Sequence, residues 1–291
     1  MKHPIRYRLE ALAAYFGLAL FRMLPTDWAS ALGGWLARCV GPMVPTTQTA
    51  EKNLSHAFPN LTKLQRTRII RDMWENLGRV VAEYAVLPRL WHSKDLDRIT
   101  VSGIERLLRI EKSGKAAILF TGHIGNWEIP ALVAGRLAKP VAIVYRSPNN
   151  PLIEKLLGAA RGEIAADLIP KGPEGARDLI RVLRNGSHVA MVVDQKMNTG
   201  LEIPFFGRNA MTGPAVVRLA MRFECPLIPV RTERIKGCSF HVTFGDPWTI
   251  EKTGDDDKDV IKALIRINTQ LEDWIQERPD QWLWLHNRWP E

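Results

Sequence analysis

The chain has 291 residues, 46% of them hydrophobic and 24% charged, which excludes a disordered or fibrous protein and allows one large α/β domain with core to spare. Three cysteines, Cys39, Cys225 and Cys238, have no paired spacing, so a disulfide framework is excluded and a reduced, cytosol-facing chain is the simpler reading. Forty basic against 31 acidic residues give a net charge of +9 and call for an anionic partner, and ten tryptophans, whose indoles prefer the headgroup region, favour a membrane surface over nucleic acid.

The amino terminus carries Lys2, Arg6 and Arg8 ahead of the apolar run Ala11–Phe21. Arg22 and Asp27 interrupt that run, and it falls short of the roughly 20 apolar residues that span a bilayer. A second apolar stretch, Trp28 to Val44, is broken by Gly33, Gly34, Arg38 and Pro42. Residues 1–45 therefore read as two helices lying on or in the cytoplasmic leaflet with their basic residues toward lipid phosphates. A pair of ordinary core helices and a single span are the alternatives. Residues 46–60 are polar and read as a connection. Over 61–90 the spacing of Leu64, Ile69, Ile70, Met73, Leu77, Val80 and Val81 predicts one amphipathic helix.

The remaining chain alternates. Apolar runs predict strands at 116–120, 141–145, 188–193, 226–231 and 239–244, with helices at 127–138, 150–160, 174–184 and 212–223 between them. A last helix over 258–277 follows the acidic turn Thr253–Asp257. Alternation of this kind predicts an α/β fold: a mostly parallel sheet with helices on both faces, occupying 46–291.

The first strand-to-helix turn reads Gly122-His-Ile-Gly-Asn-Trp-Glu128. His123 is a candidate general base near neutral pH, and Glu128, five residues on, could accept its other ring N–H. Gly125 permits close approach of substrate to backbone, and amides near Asn126 could face an oxyanion. There is no G-x-S-x-G elbow and no cysteine beside the histidine, so the base would act on a hydroxyl or water directly. A structural loop histidine is the alternative on spacing alone. No H-E-x-x-H is present and the other histidines, at 3, 56, 92, 188, 241 and 286, form no ligand cluster, so neither metal nor cofactor is expected.

This turn resembles the H-x4-D/E motif of the lysophospholipid acyltransferase superfamily, and more closely the GHFGNWE form of the lipid A late acyltransferases, the lauroyl and myristoyl transferases of Gram-negative inner membranes. Val144-Tyr-Arg-Ser-Pro-Asn-Asn150 is similar to the family's Y-R-x-x-x-N segment. Val192-Val-Asp-Gln195 with Ile203-Pro-Phe-Phe-Gly207 and Met211-Thr212 resembles its D-Q…P-F-F-G…T block, and Trp284-Leu-His-Asn-Arg-Trp289 its W-x-H-x-R-W. Ile124 stands where the family usually has an aromatic. The resemblance implies transfer of an acyl chain from an acyl carrier protein thioester to a hydroxyl of a lipid A precursor, with His123 as base, Glu128 as its partner and no covalent intermediate. It also implies a bacterial inner-membrane location with the catalytic domain facing the cytoplasm. Arg146, by its motif, would meet an acceptor phosphate or the oxyanion. Asp194 and Gln195 follow a strand's carboxyl end, the edge where open α/β sheets bind ligands, as candidates for substrate or oxyanion binding; for Asp194, orientation of Arg146 or Lys196 is equally open. Arg208 could meet phosphate or stay solvated. Lys171, Arg177, Arg181 and Arg184 form a basic face that fits an acidic carrier protein, or simply water. His286 is a candidate only for a supporting contact.

Overall fold

The computed structural model describes residues 4–92, 98–162 and 165–289; Lys2 and His3 lie outside them. The chain opens with helices α1 (Pro4–Met23), α2 (Thr26–Val40), α3 (Thr47–Ala57), α4 (Lys63–Glu83) and α5 (Leu87–His92). The α/β part follows as β1 (Ile99–Ser102), α6 (Ile104–Lys112), β2 (Ile118–Thr121), α7 (Ile129–Leu137), β3 (Ala142–Tyr145), α8 (Pro151–Gly162), β4 (Asp167–Pro170), α9 (Pro173–Arg184) and β5 (Val189–Val192). A hairpin of β6 (Lys196–Phe205) and β7 (Arg208–Thr212) leads to α10 (Ala215–Phe223), β8 (Leu227–Lys236), β9 (Ser239–Phe244) and α11 (Asp256–Glu277).

Seven strands form one sheet in the order β1-β9-β8-β2-β5-β3-β4, parallel at every pair except β8–β9, and β6–β7 stand apart as an antiparallel ribbon. The expected α/β architecture is present. β2 is buried along its whole length because strands and helices cover both its edges and faces. Its alternation divides the core: Ile118 and Phe120 pack with α3, α4, α9, α10, α11 and the terminal tryptophans, while Leu119 packs with α5, α6 and α7.

Local chemistry sets the long helices. Thr62 and Gln65 form a reciprocal capping box at the start of α4. Asp255 caps α11 by accepting from the Lys258 N–H, with three more acids in the first turn. The acidic turn read from the sequence is thus the helix's own start signal.

The structure corrects several boundaries. Residues 46–60 are not a plain connection: α3 fills most of them, and its Asn53 is buried, with Nδ2 donating to the carbonyls of Trp284 at 2.7 Å and His286 at 2.5 Å. The single helix over 61–90 ends at Glu83 and resumes as α5. β1, β4, α6 and the β6–β7 hairpin are additional.

α2 packs closely on α4, because a Cβ on Gly33 would lie 2.6 Å from the Gly78 carbonyl oxygen; only small residues allow this approach. No helix among the described residues is long and apolar enough to cross a membrane. α1 and α2 leave Leu12, Phe16, Trp28 and Trp35 exposed.

Candidate active site

Three neighbouring parallel strands, β2, β5 and β3, end on one edge of the sheet, and each carries its motif just beyond its carboxyl end. His123 follows β2, Asp194 and Gln195 follow β5, and Arg146 follows β3. This is where open α/β sheets bind ligands. A cavity of about 320 Å³ opens there, lined by His123, Trp127, Arg146, Arg161, Lys171 and Gln195 over a floor of apolar strand residues including Ile143, Met191 and Val230.

The imidazole of His123 is oriented by Asp194 and not, as the five-residue spacing suggested, by Glu128. His123 Nδ1 lies 2.7 Å from Asp194 Oδ1. The other carboxylate oxygen, Oδ2, accepts the His123 backbone N–H and the Trp282 indole N–H, each at 2.7 Å. Burial by itself would raise the Asp194 carboxyl, but the charge of His123 and these hydrogen bonds outweigh it and hold the group well below the usual carboxylate range. An ionised Asp194 fixes the Nδ1–H tautomer and leaves Nε2 as the basic atom.

Glu128 opens α7, and the turn of that helix carries its carboxylate away from the histidine. It is buried, held by Arg161 Nε at 3.0 Å and Nη2 at 2.6 Å, and accepts the Tyr84 hydroxyl. Burial would lower the Arg161 guanidinium, yet the facing Glu128 raises it above its ordinary value, and burial beside Glu128 raises the Tyr84 phenol. Arg161 also lies over the rings of Tyr84 and Tyr145, 5.7 Å from each centroid. This clamp ties α7, α8 and the end of α4 together on one wall of the cavity. Arg161 escaped the sequence reading because nothing in its helix pattern marks one arginine as buried.

The turn itself is held from outside. Gly125 has φ of 59°, and a Cβ there would sit 2.3 Å from the Thr232 carbonyl oxygen. Its N–H donates to the Gln281 carbonyl at 3.1 Å and its carbonyl accepts Asn76 Nδ2 at 2.9 Å. Asn126 is buried, its Oδ1 accepting the Glu128 N–H at 3.1 Å and its Nδ2 donating to Glu83 at 2.8 Å. The Gly125 N–H and the Asn126 side chain are therefore spent on holding the turn and are not free oxyanion donors. Glu83 is fully buried and also bonds Ser30 Oγ at 2.6 Å and Arg234 Nη2 at 2.9 Å, a network that joins α2, α4 and β8 to the turn.

The other expected residues are dispersed. Arg146 and Lys171 are exposed at the cavity mouth. Asp194 bonds His123 in place of Arg146 or Lys196. Gln195 lies beside His123 and reaches His286, its Nε2 at 2.9 Å from His286 Nε2. Arg208 starts β7 on the exposed hairpin, near His56, and is not among the cavity-lining residues. Arg177, Arg181 and Arg184 lie on the exposed side of α9, with Arg181 paired to Asp178 at 3.0 Å; Lys171 has left that group for the cavity. Phe205 is core, packed against Trp282, Trp289 and the Arg288 guanidinium. Among the described lining residues there is neither serine nor cysteine.

Residues 1–291 match the family model described as bacterial lipid A biosynthesis acyltransferase. The chain is 25% identical to the lipid A biosynthesis palmitoleoyltransferase of Escherichia coli (strain K12), over 98% of this chain and 92% of that protein. It is 23% identical to the lipid A biosynthesis myristoyltransferase of the same organism, over 94% of this chain and 84% of the relative. A phosphatidylinositol mannoside acyltransferase of Mycobacterium tuberculosis is 24% identical over 70% of this chain and 71% of its own length.

Proposed function

The chain belongs to the bacterial lipid A biosynthesis acyltransferase family, and on that premise we propose that it moves a fatty acyl chain from an acyl carrier protein thioester to a hydroxyl of a lipid A precursor. The observation that carries the reading is the His123–Asp194 pair at the mouth of a partly apolar cavity that has no serine or cysteine in its described lining. His123 Nε2 takes the proton of the acceptor hydroxyl while Asp194 stabilises the imidazolium that forms. The oxygen attacks the thioester carbonyl directly, and the thiolate leaves with the proton from Nε2. Apolar strand residues suit an acyl chain, and Arg146 and Lys171 at the mouth suit an anionic headgroup.

The acceptor class follows the family name and the names of the Escherichia coli relatives. A second reading, the same transfer onto another anionic glycolipid, is favoured by the likeness to the phosphatidylinositol mannoside enzyme. For the donor, the exposed arginines of α9 and the net charge of +9 suit an acidic carrier protein. For location, the exposed apolar faces of α1 and α2 suit the cytoplasmic leaflet of the inner membrane, with the helices lying on it.

The test is transfer by the purified, detergent-solubilised protein, given a ladder of acyl carrier protein donors and a Kdo-bearing tetra-acylated lipid A precursor, with products weighed by mass spectrometry. One added acyl chain, lost in His123→Ala, is the expected result. Free fatty acid with an unchanged acceptor, or no turnover of any donor, would overturn the reading.

A further inference from the structure

A second histidine stands at the site, and the proton transfer above does not use it. The ring centroids of His123 and His286 are 5.5 Å apart. One amide nitrogen stands between them: Gln195 Nε2 is 3.3 Å from His123 Nε2 and 2.9 Å from His286 Nε2. A carboxamide nitrogen carries two hydrogens and no lone pair to offer, so it satisfies both rings only when both Nε2 atoms are bare acceptors. His123 meets that condition because Asp194 claims its Nδ1–H. Burial, reinforced by His123 and Arg146 against the pull of Asp194, disfavours the charged form of His286; a neutral ring leaves one nitrogen bare, and the 2.9 Å contact to the amide assigns that nitrogen as Nε2. The His286 backbone is fixed in turn, its carbonyl held by Asn53 of α3.

Three backbone amides of the histidine turn are already engaged. The N–H of His123 is spent on Asp194, that of Ile124 on the Gly122 carbonyl, and that of Gly125 on Gln281. Gln195, by contrast, lines the cavity.

We infer that Gln195 is the oxyanion donor of the transfer and that His286 positions it, the same amide capping His123 Nε2 until the acceptor hydroxyl displaces it. The inference rests on the acyl-transfer reading and deepens it. The Nε2 lone pair accepts one hydrogen bond at a time, so amide and hydroxyl exclude one another. The longer bond, to His123, gives way and the shorter one, to His286, holds. The freed N–H then lies beside the attacking oxygen and turns to the carbonyl oxygen on which charge develops. The hydroxyl proton passes to Nε2, the new C–O bond forms, and the carbonyl π pair moves onto oxygen opposite Gln195. That pair returns as the C–S bond breaks, the thiolate takes the proton from Nε2, and the bare Nε2 accepts the amide again. His286 touches no reacting atom and acts through Gln195.

Two measurements test this. Long-range proton–nitrogen spectra of protein labelled with [15N]histidine should show both rings in the Nδ1–H tautomer without substrate; an Nε2–H tautomer at His286 would overturn the cap. In the transfer assay, Gln195→Ala should lower kcat by about 10²–10³ without raising the acceptor KM, since the hydroxyl no longer displaces anything. His286→Ala should lose most of the same factor, the double variant should be no worse than Gln195→Ala, and His286→Gln, which keeps an acceptor, should recover part. A Gln195→Ala kcat within threefold of wild type, or losses that multiply in the double variant, would overturn the assignment. Should Gln195→Ala fail to fold, the near-isosteric Gln195→Met replaces it. A wild-type protein that transfers no acyl chain would sink the acyl-transfer reading, while the tautomer spectrum still decides the cap.

Discussion

His123 Nδ1 and Asp194 Oδ1 lie 2.7 Å apart although 71 positions separate the two residues in the chain. Glu128, five positions from the histidine, points instead to Arg161. The two acids therefore do different work: one orients the His123 imidazole, the other fixes a wall of the cavity.

Asp194→Asn is expected to keep the fold and lower kcat by about 10³–10⁴, because the amide cannot hold the imidazole tautomer and stabilise the imidazolium together. Steady-state transfer kinetics with circular dichroism as a fold check measure it. A loss below tenfold would remove Asp194 from the proton transfer.

The same carboxylate sets an acid limit. Its folded-state pKa is depressed below the unfolded value of about 3.9, so its stabilisation is present above about pH 4 and is lost as the pH falls below that. Thermal melts from pH 6 down to pH 2 should fall steeply in the wild type and less steeply in Asp194→Asn. Parallel curves would contradict the depressed pKa.

Removing one half of the Glu128–Arg161 clamp leaves a buried charge unpaired. Glu128→Ala and Arg161→Ala should each destabilise by about 3–5 kcal/mol, and the double variant by less than their sum. Urea unfolding reads this out. Additive losses would show that the two residues are energetically independent.

Gly125→Ala should destabilise by more than about 1–3 kcal/mol, since the left-handed backbone is strained for alanine and the Cβ meets the Thr232 carbonyl. Because the same turn carries His123, transfer should fall with it. A variant that melts with the wild type would mean that the turn relaxes freely.

Glu83→Gln should lower kcat more than it raises KM, through the loss of the charged anchor that holds Asn126 in the turn. Its effect should largely vanish in an Asn126→Ala background, measured as a double-mutant cycle on kcat. Independent effects would place Glu83 in the fold alone.

The sequence by itself determined the elements whose signals are local. Apolar runs such as Ile118–Thr121 wrote the central strands, Thr62 and Gln65 the start of α4, and the acids around Asp255 the start of α11. It also placed His123, Arg146, Asp194 and Gln195 after strands, and parallel pairing of β2, β5 and β3 brings those ends to one edge. Only the tertiary structure decided which groups touch. A helix turns by about 100° per residue, so whether Glu128 faces His123 or Arg161 depends on where α7 is seated, and that is set by packing across the sheet. Likewise Glu83, Arg234 and Arg161 read as ordinary charges in their own segments. They became buried pairs because α4, β8 and α8 meet around one turn, and long-range burial leaves no mark on local spacing.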